Sequence, residues 1–394
     1  MANETHTLTF FPLGNADTTR IDLDNGRKVL FDYAHLRNDN GRRIWYGKEI
    51  EDKRIDLKKV LKEDLDAAKK DHYDVVAFTH LDDDHTRGAE NFFWLEHSTN
   101  YQGKDRIKIK TMWVPAAVII ESRNDLEPSA KLVQAEARDR FKKGSGIIVF
   151  SRPGRLREWC ERNDVDFENR QGILYDAGQL APGFDIGVDG LEFFIHAPHG
   201  HVQDERDDVD RNNDCLVMQV LFNVQGVETS VLLTSDAKLG ALSTIVGATK
   251  KYRNEKRLES HLYKNPHHCS YHSVGEEKGE DKTSPHPDIK WLLEVQGQPG
   301  LIQIVSSEPI PAKGTEEDKD KQPPHREADA YYREVQDLKD GDYEVTMSHP
   351  RGASKPEPIR VVITSRGPEL QKEASTSAAI ITGSKPPRAG NGNG

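Results

Sequence analysis

The stretch Tyr73-Asp74-Val75-Val76-Ala77-Phe78-Thr79-His80-Leu81-Asp82-Asp83-Asp84-His85 decides the fold. Its first seven residues, Asp74 apart, are apolar or β-branched and too few for a helix, which predicts a buried strand. While the chain stays extended beyond it, His80, Asp82 and Asp84 share one side, because side chains alternate with period two. Asp83 or Asp84 is placed to cap a helix starting near Thr86, with His85 swinging in from its first turn. Gly88 would let that helix approach the ligands without a β-carbon in the way. A lone His-x-Asp would read as a solvated acidic loop. Four imidazole and carboxylate ligands within six residues at a strand end suit zinc, manganese or iron instead, and exclude a thiolate-type structural zinc site.

Upstream, Leu57, Leu61, Leu65 and Ala68 recur at helical spacing beside Val60, predicting an amphipathic helix. Before it, short strands are expected over residues 7–11, 20–23 and 28–32, with the turns Gly14-Asn15-Ala16-Asp17 and Asp24-Asn25-Gly26 between them. A helix between strands indicates a layered α/β architecture. Residues from about 98 to 190 hold runs at 112–115 and 147–150 and a helix near 129–141, read as further elements or an insertion in the same domain. Three more strands are expected at 191–195, 216–221 and 230–234. One domain therefore covers 1–365, and the Ser-, Gly-, Pro- and Ala-rich tail 366–394 is expected to be disordered.

Two distant segments match the chemistry of the first. Val231-Leu232-Leu233-Thr234-Ser235-Asp236 is a buried strand ending in a carboxylate that could bridge two ions. Leu262-Tyr263-Lys264-Asn265-Pro266-His267-His268-Cys269-Ser270 ends in paired histidines, with Cys269 read as a packing residue.

Composition bounds the rest. Hydrophobic residues are 35% and charged residues 31%, which permits a substantial core. No run approaches the roughly 20 apolar residues of a membrane helix, and the first residues carry no secretory pattern. Three cysteines (Cys160, Cys215, Cys269) are too few for a disulfide framework, so a reducing cytoplasm is expected. The net charge of −11 argues against coating nucleic acid by bulk electrostatics but not against a nuclease, whose metal ions supply positive charge locally. Of the 16 histidines, His6, His72, His97 and His349 read as ordinary packing or surface residues.

In order, His-x-Asp-x-Asp-His (80–85), Leu-Leu-Thr-x-Asp (232–236) and His-His-x-Ser (267–270) resemble the metallo-β-lactamase fold. They are most similar to its ComEC-type branch, where an aspartate replaces the second histidine of the commoner His-x-His-x-Asp-His. The turn 14–17 is similar to that branch's Gly-x-x-Asp, Val29-Leu30-Phe31-Asp32 to its Leu-Ile-Asp strand, and Asn212-Asn213-Asp214-Cys215-Leu216-Val217 to its Asn-x-Ser-Leu-Val segment. The resemblance spans roughly 7 to 350 and implies a four-layer αββα sandwich holding two divalent ions, zinc or manganese. It implies that His80 and Asp82 hold one ion, that Asp84, His85 and His267 hold the other, and that Asp236 bridges them. Asp32 and His268 would stand behind the ligands, and Asp17 would be a turn residue. The chain departs from the pattern at Ser235 and Cys269, where glycines are expected, and Pro324-His325-Arg326 only loosely matches a Gly-His-Pro. His325 is read as a general acid or a loop residue, and His199 and His201 lie where other branches place a further ligand.

The activity so implied is a phosphodiesterase or nuclease acting on an anionic phosphodiester, with Asp84 orienting the attacking water. Two rivals remain: hydrolysis of an ester or lactone on the same fold, and a metal-stabilised non-catalytic subunit. Partners, if any, would be met through the polar loops 274–288 and 311–326 and the tail.

Overall fold

The computed structural model describes residues 5–371. Strands β1 (His6–Phe10), β2 (Thr19–Asp22) and β3 (Lys28–Phe31) form the expected antiparallel start. A small hairpin, β4 (Arg42–Trp45) and β5 (Lys48–Glu51), follows. The helix Leu57–Ala67 comes next, its N-terminus capped by the Asp56 carboxylate, which accepts from the Lys59 N–H at 3.1 Å. Leu57, Leu61 and Leu65 are fully buried along one face, each contributing about 1.5–3 kcal/mol of apolar burial. β6 (His72–Ala77) then pairs with β3 in parallel.

β7 (Lys108–Pro115), β8 (Ile147–Phe150) and β9 (Leu174–Tyr175) continue the sheet in parallel beyond β6. Residues 98–190 thus extend the first sheet. The second sheet is β10 (Leu191–Ala197), β11 (Val217–Val224), β12 (Val227–Leu233), β13 (Ser260–Lys264), β14 (Gly297–Val305) and β15 (Asp342–Val345) in that order. It is antiparallel as far as β12 and parallel after it. β16 (Ile359–Thr364) returns to β1, and β17 (Gly367–Leu370) pairs with β16. The expected tail from 366 therefore begins as a strand, and its residues 372–394 lie outside the described residues.

Period-two alternation builds the layers. Val29, Phe31, Val75, Ala77 and Trp113 face Met218, Val231, Leu233, Leu262 and Ile304 in a core between the sheets. Their neighbours Leu30, Val76, Met112 and Val114 face outward against the helices Leu57–Ala67 and Pro128–Lys143. Across the molecule, Val217, Leu232, Tyr263 and Val305 pack on the helices Leu239–Lys251 and Arg326–Lys339. The chain is a four-layer αββα sandwich, as the metallo-β-lactamase resemblance implied. Among the described residues, no helix is long and apolar enough to cross a membrane.

Candidate metal centre

The loops following β3, β6, β12 and β13 meet at one rim of the sandwich, where the Leu216 N–H donates to the Thr79 carbonyl at 3.0 Å and ties the sheets together. After β6 the chain stays extended to Asp82, which takes the N-cap position (φ −72°, ψ 153°) of a single turn, Asp83–Thr86. The turn thus starts three residues earlier than expected. Asp82 makes no capping hydrogen bond, so its carboxylate is free to meet Arg211 Nη1 at 2.9 Å and His80 Nε2 at 3.5 Å. Gly88 has φ 78°, and a β-carbon there would meet only ordinary contacts, the nearest 3.5 Å away on His35. That glycine serves a left-handed backbone rather than a close approach to ligands.

Asp32 ends β3 in the left-handed region (φ 57°). Its carboxylate accepts from the Thr79 N–H and hydroxyl, both at 2.7 Å, and stands 2.8 Å from His85 Nδ1. His85 therefore carries its proton on Nδ1 and turns Nε2 toward Asp236 Oδ1, 3.2 Å away. Because the Thr79 hydroxyl proton goes to Asp32, its oxygen receives His80 Nδ1–H at 3.1 Å and the Ser235 hydroxyl at 2.7 Å. The lone pair of His80 is left on Nε2.

The paired histidines lie on an unusual turn. His267, His268 and Cys269 have φ of 48°, 52° and 68°, three successive left-handed non-glycine residues. Each costs on the order of 1–2 kcal/mol, and Cys269 shows why glycine is the usual occupant there. The turn carries His268 inward: it is 1% exposed, donates Nδ1–H to the Ser306 carbonyl at 2.7 Å, and sets Nε2 3.1 Å from Asp84 Oδ2 and 3.5 Å from Asp236 Oδ2. His267 stays at the rim, with Nε2 3.9 Å from Asp236 and 3.3 Å from the Asn212 amide. The expected order of the pair is thus reversed, because the left-handed turn swings the second ring, not the first, into the cleft.

Two groups of ligand atoms lie within 4.8 Å of one another: Asp17, His85, Asp236 and His268 in one, and His80, Asp84 and His85 in the other. His80 Nε2, His85 Nε2, Asp236 Oδ1 and Asp17 Oδ1 are buried and make no well-aligned hydrogen bond, His85 Nε2 and Asp236 Oδ1 meeting each other only as an ion pair. Unpartnered lone pairs cost free energy when buried, and an imidazole–carboxylate set of this kind fits a divalent cation. Charge is shared accordingly. Burial opposes protonation of His85, but Asp236 and Asp32 outweigh it and hold the ring well above the usual histidine range. His268 is likewise pushed up to about 10 against burial, by Asp236 and then Asp84. Burial raises the Asp236 carboxyl, but His268 and His85 together hold it well below the usual range. His267 is different, since burial pushes it down to about 4.

Lys264 and Arg211 carried no signal in the sequence, and Asp17, matched to a Gly-x-x-Asp turn, was expected to be only a turn residue. Asp17 is buried beside the cluster rather than in an exposed turn, paired with the buried Lys264 at 2.6 Å. Arg211 grips Asp82, Glu121 at 3.0 Å and Asp125 at 2.7 Å. Isolated charges at sites 247, 129 and 90 residues from their partners look like surface residues in a linear reading.

His325 does not join the cluster. Its Nδ1 accepts from the Tyr271 N–H at 3.3 Å, its Nε2 lies 3.2 Å from the Lys321 carbonyl, and burial pushes it down to about 4. Both nitrogens are occupied by loop backbone, so the residue read as a general acid or a loop residue stands in the loop reading. His199 and His201 face each other at 5.7 Å and line a separate cavity of about 860 Å³ beside the helix Leu239–Lys251.

No family model and no curated protein matches the sequence. Among solved structures, a new diphosphatase from the PhnP family aligns over 91% of this chain and 98% of its own, at 9% identity and a TM-score of 0.32. A long form RNase Z from yeast aligns over 77% of this chain and 41% of its own, at 11% identity and a TM-score of 0.32. At such scores neither likeness carries weight, and the fold stands on the chain's own sheet order and layers.

Proposed function

We propose that this chain is a metal-dependent phosphodiesterase of the ComEC-type branch, cleaving nucleic acid or nucleotides at the rim built from Asp32, the 80–85 motif, Asp236 and the 267–269 turn. One observation carries the reading: buried ligand atoms of His80, His85 and Asp236 that make no well-aligned hydrogen bond converge there. His80 and Asp82 would hold one divalent ion; Asp84, His85 and His268 the other; Asp236 would lie between. Zinc or manganese bound there would supply a water acidified to near neutrality and positive charge for a phosphoryl group.

The chain's own residues supply the rest. Asp32 and Thr79 hold the Nδ1 protons of His85 and His80, so each ring would offer Nε2 to an ion, His85 after losing its second proton. Asp84 and Asp82 are the half-open carboxylates of the set, at 32% and 31% side-chain exposure; Asp82 is held by Arg211, which leaves Asp84 suited to orient an attacking water and accept its proton. Next to Asp82 a cavity of about 650 Å³ is lined by Arg123, Arg206, Arg211 and Lys238 and equally by Asp82, Glu205, Asp207, Asp208 and Asp210, so attraction for a phosphoryl group would fall to the bound ions.

The test is hydrolysis of bis(p-nitrophenyl) phosphate, single-stranded DNA, RNA, a cyclic nucleotide and a lactone by stripped protein reloaded with Mn²⁺ or Zn²⁺. Phosphodiester cleavage is expected only with metal, and Asp84→Asn should lower it by about 10²-fold or more, the scale of a lost general base. Turnover of the lactone alone would transfer the assignment to ester hydrolysis. Metal binding without turnover of any substrate would favour a non-catalytic subunit.

A further inference from the structure

The Asp17–Lys264 pair has no role in that reading, yet it stands inside the cluster. Lys264 ends β13 and is 3% exposed; its ammonium meets Asp17 Oδ2 at 2.6 Å. Two fully buried opposite charges cost several kcal/mol each in lost hydration, and their attraction does no better than roughly offset this, so stability alone is a weak reason for the pair. The segment carrying Asp17 is also pinned to the motif loop, since the Asp17 N–H donates to the Asp84 carbonyl at 3.0 Å. Two residues on, Thr19 opens β2. The second carboxylate oxygen, Oδ1, is buried and has no hydrogen-bond partner. Asp17 belongs to the group formed with His85, Asp236 and His268, in which one ligand atom from each residue lies within 4.8 Å of the others. Ligands about 2.1 Å from one tetrahedral ion stand about 3.4 Å apart, so a small contraction of this group would enclose a cation.

We propose that Asp17 supplies an oxygen to the divalent ion shared with His85, Asp236 and His268, and that Lys264 is the positioning residue that presents it. The inference rests on the metal-dependent reading above and adds a ligand from the N-terminal hairpin, which neither histidine motif contains. Lys264 holds one carboxylate oxygen and leaves the other facing the ion. Its charge also offsets part of the carboxylate excess formed by Asp17, Asp84 and Asp236.

The experiment is calorimetric titration of stripped, full-length protein with Mn²⁺ and Zn²⁺, together with the visible spectrum of the Co²⁺-loaded form. Asp17→Asn keeps the shape and removes the charge. It should weaken one binding event at least about tenfold, leave the other within about twofold, and shift the Co²⁺ bands as an oxygen ligand is lost. Because Asp17→Asn strands a buried lysine, the double variant Asp17→Asn/Lys264→Met removes both charges and should show the same weakening in a folded protein. Wild-type affinity, stoichiometry and Co²⁺ spectrum in the double variant would overturn the inference and leave the pair a structural salt bridge. Absence of binding by the wild type would instead overturn the metal-dependent reading itself.

Discussion

Asp32 and His85 are locked at 2.8 Å, carboxylate to Nδ1, in a pocket where both side chains are buried. The contact decides which imidazole nitrogen faces Asp236, and so whether His85 can act as a ligand at all. Asp32→Asn keeps the volume but offers an amide that either donates to Nδ1 or rotates away, and with it the tautomer preference goes. Metal affinity or turnover should fall about 10–100-fold with the fold retained. Elemental analysis after dialysis and kcat on an activated phosphodiester check this; an unchanged metal content would remove Asp32 from its role.

The reversal at the paired histidines makes a separate prediction. His268 Nε2 reaches both Asp84 and Asp236, whereas His267 reaches Asp236 only at 3.9 Å. His268→Ala should therefore cost more than His267→Ala, by about tenfold or more in metal affinity. Equal losses, or the opposite order, would mean that the left-handed turn at 267–269 rearranges when the ion binds.

The 80–85 motif was legible because its ligand types are contiguous and follow a short apolar strand, although Asp84 and His85 sit in the turn Asp83–Thr86 and not in the extended chain expected. Asp236 was legible for a similar reason, as the first carboxylate after a buried strand. Asp17, Lys264 and Arg211 were not, because one charged residue in a polar neighbourhood has no periodic signature and only the sheet order brings its partner near. The order of His267 and His268 turned on three positive φ values, which no residue type there announces, since glycine is absent. β14 was missed because Gly297, Pro299 and Gly300 interrupt its first half. The layers themselves were foreshadowed by β6, where Val75 and Ala77 face one core and Val76 the other.

Arg211 tests how far the rim depends on charge balance. Its guanidinium bonds both oxygens of Glu121, at 3.0 and 3.1 Å, as well as Asp82. Glu121 is 2% exposed. Arg211→Met would leave that carboxylate with Arg123 alone, whose Nε lies 2.8 Å away. Removing one partner of a buried pair costs about 3–5 kcal/mol, and the remaining arginine should keep the loss at the lower end. Arg211→Lys should recover only part of it, because an ammonium cannot make the two-pronged contact. Urea denaturation reads both; a loss below about 1 kcal/mol would show that Glu121 is protonated or solvated once Arg211 is gone.

The histidines also set a pH dependence for the metal-free protein, with two arms of opposite sign. Burial pushes His196, His267 and His325 down to about 4, against 6.5 for an ordinary histidine. As the pH falls from 6.5 toward 4 the unfolded chain takes up these protons first, so stability is lost over that window, by up to about 1.4 kcal/mol per pH unit for each ring. His268 is pushed up to about 10 and His85 is raised as well. Their contribution is fully present below 6.5 and is lost as the pH rises from 6.5 toward 10, since the folded state then holds protons the unfolded chain has released. The depressed carboxyls, Asp236 among them, add a loss of the same sign as the acid arm only below about pH 5, where the unfolded chain begins to bind their protons. Stability of the stripped protein should therefore peak near pH 6.5 and decline on either side. His325→Asn should make the acid arm shallower and leave the alkaline arm unchanged. Saturating Zn²⁺ or Mn²⁺ should abolish the alkaline arm, because a ligating imidazole has already given up its proton and binding tightens as pH rises. Denaturant midpoints at pH 4.5, 6.5 and 9, with and without metal, decide the matter; an alkaline decline that persists in saturating metal would mean that His85 and His268 stay protonated and hold no ion.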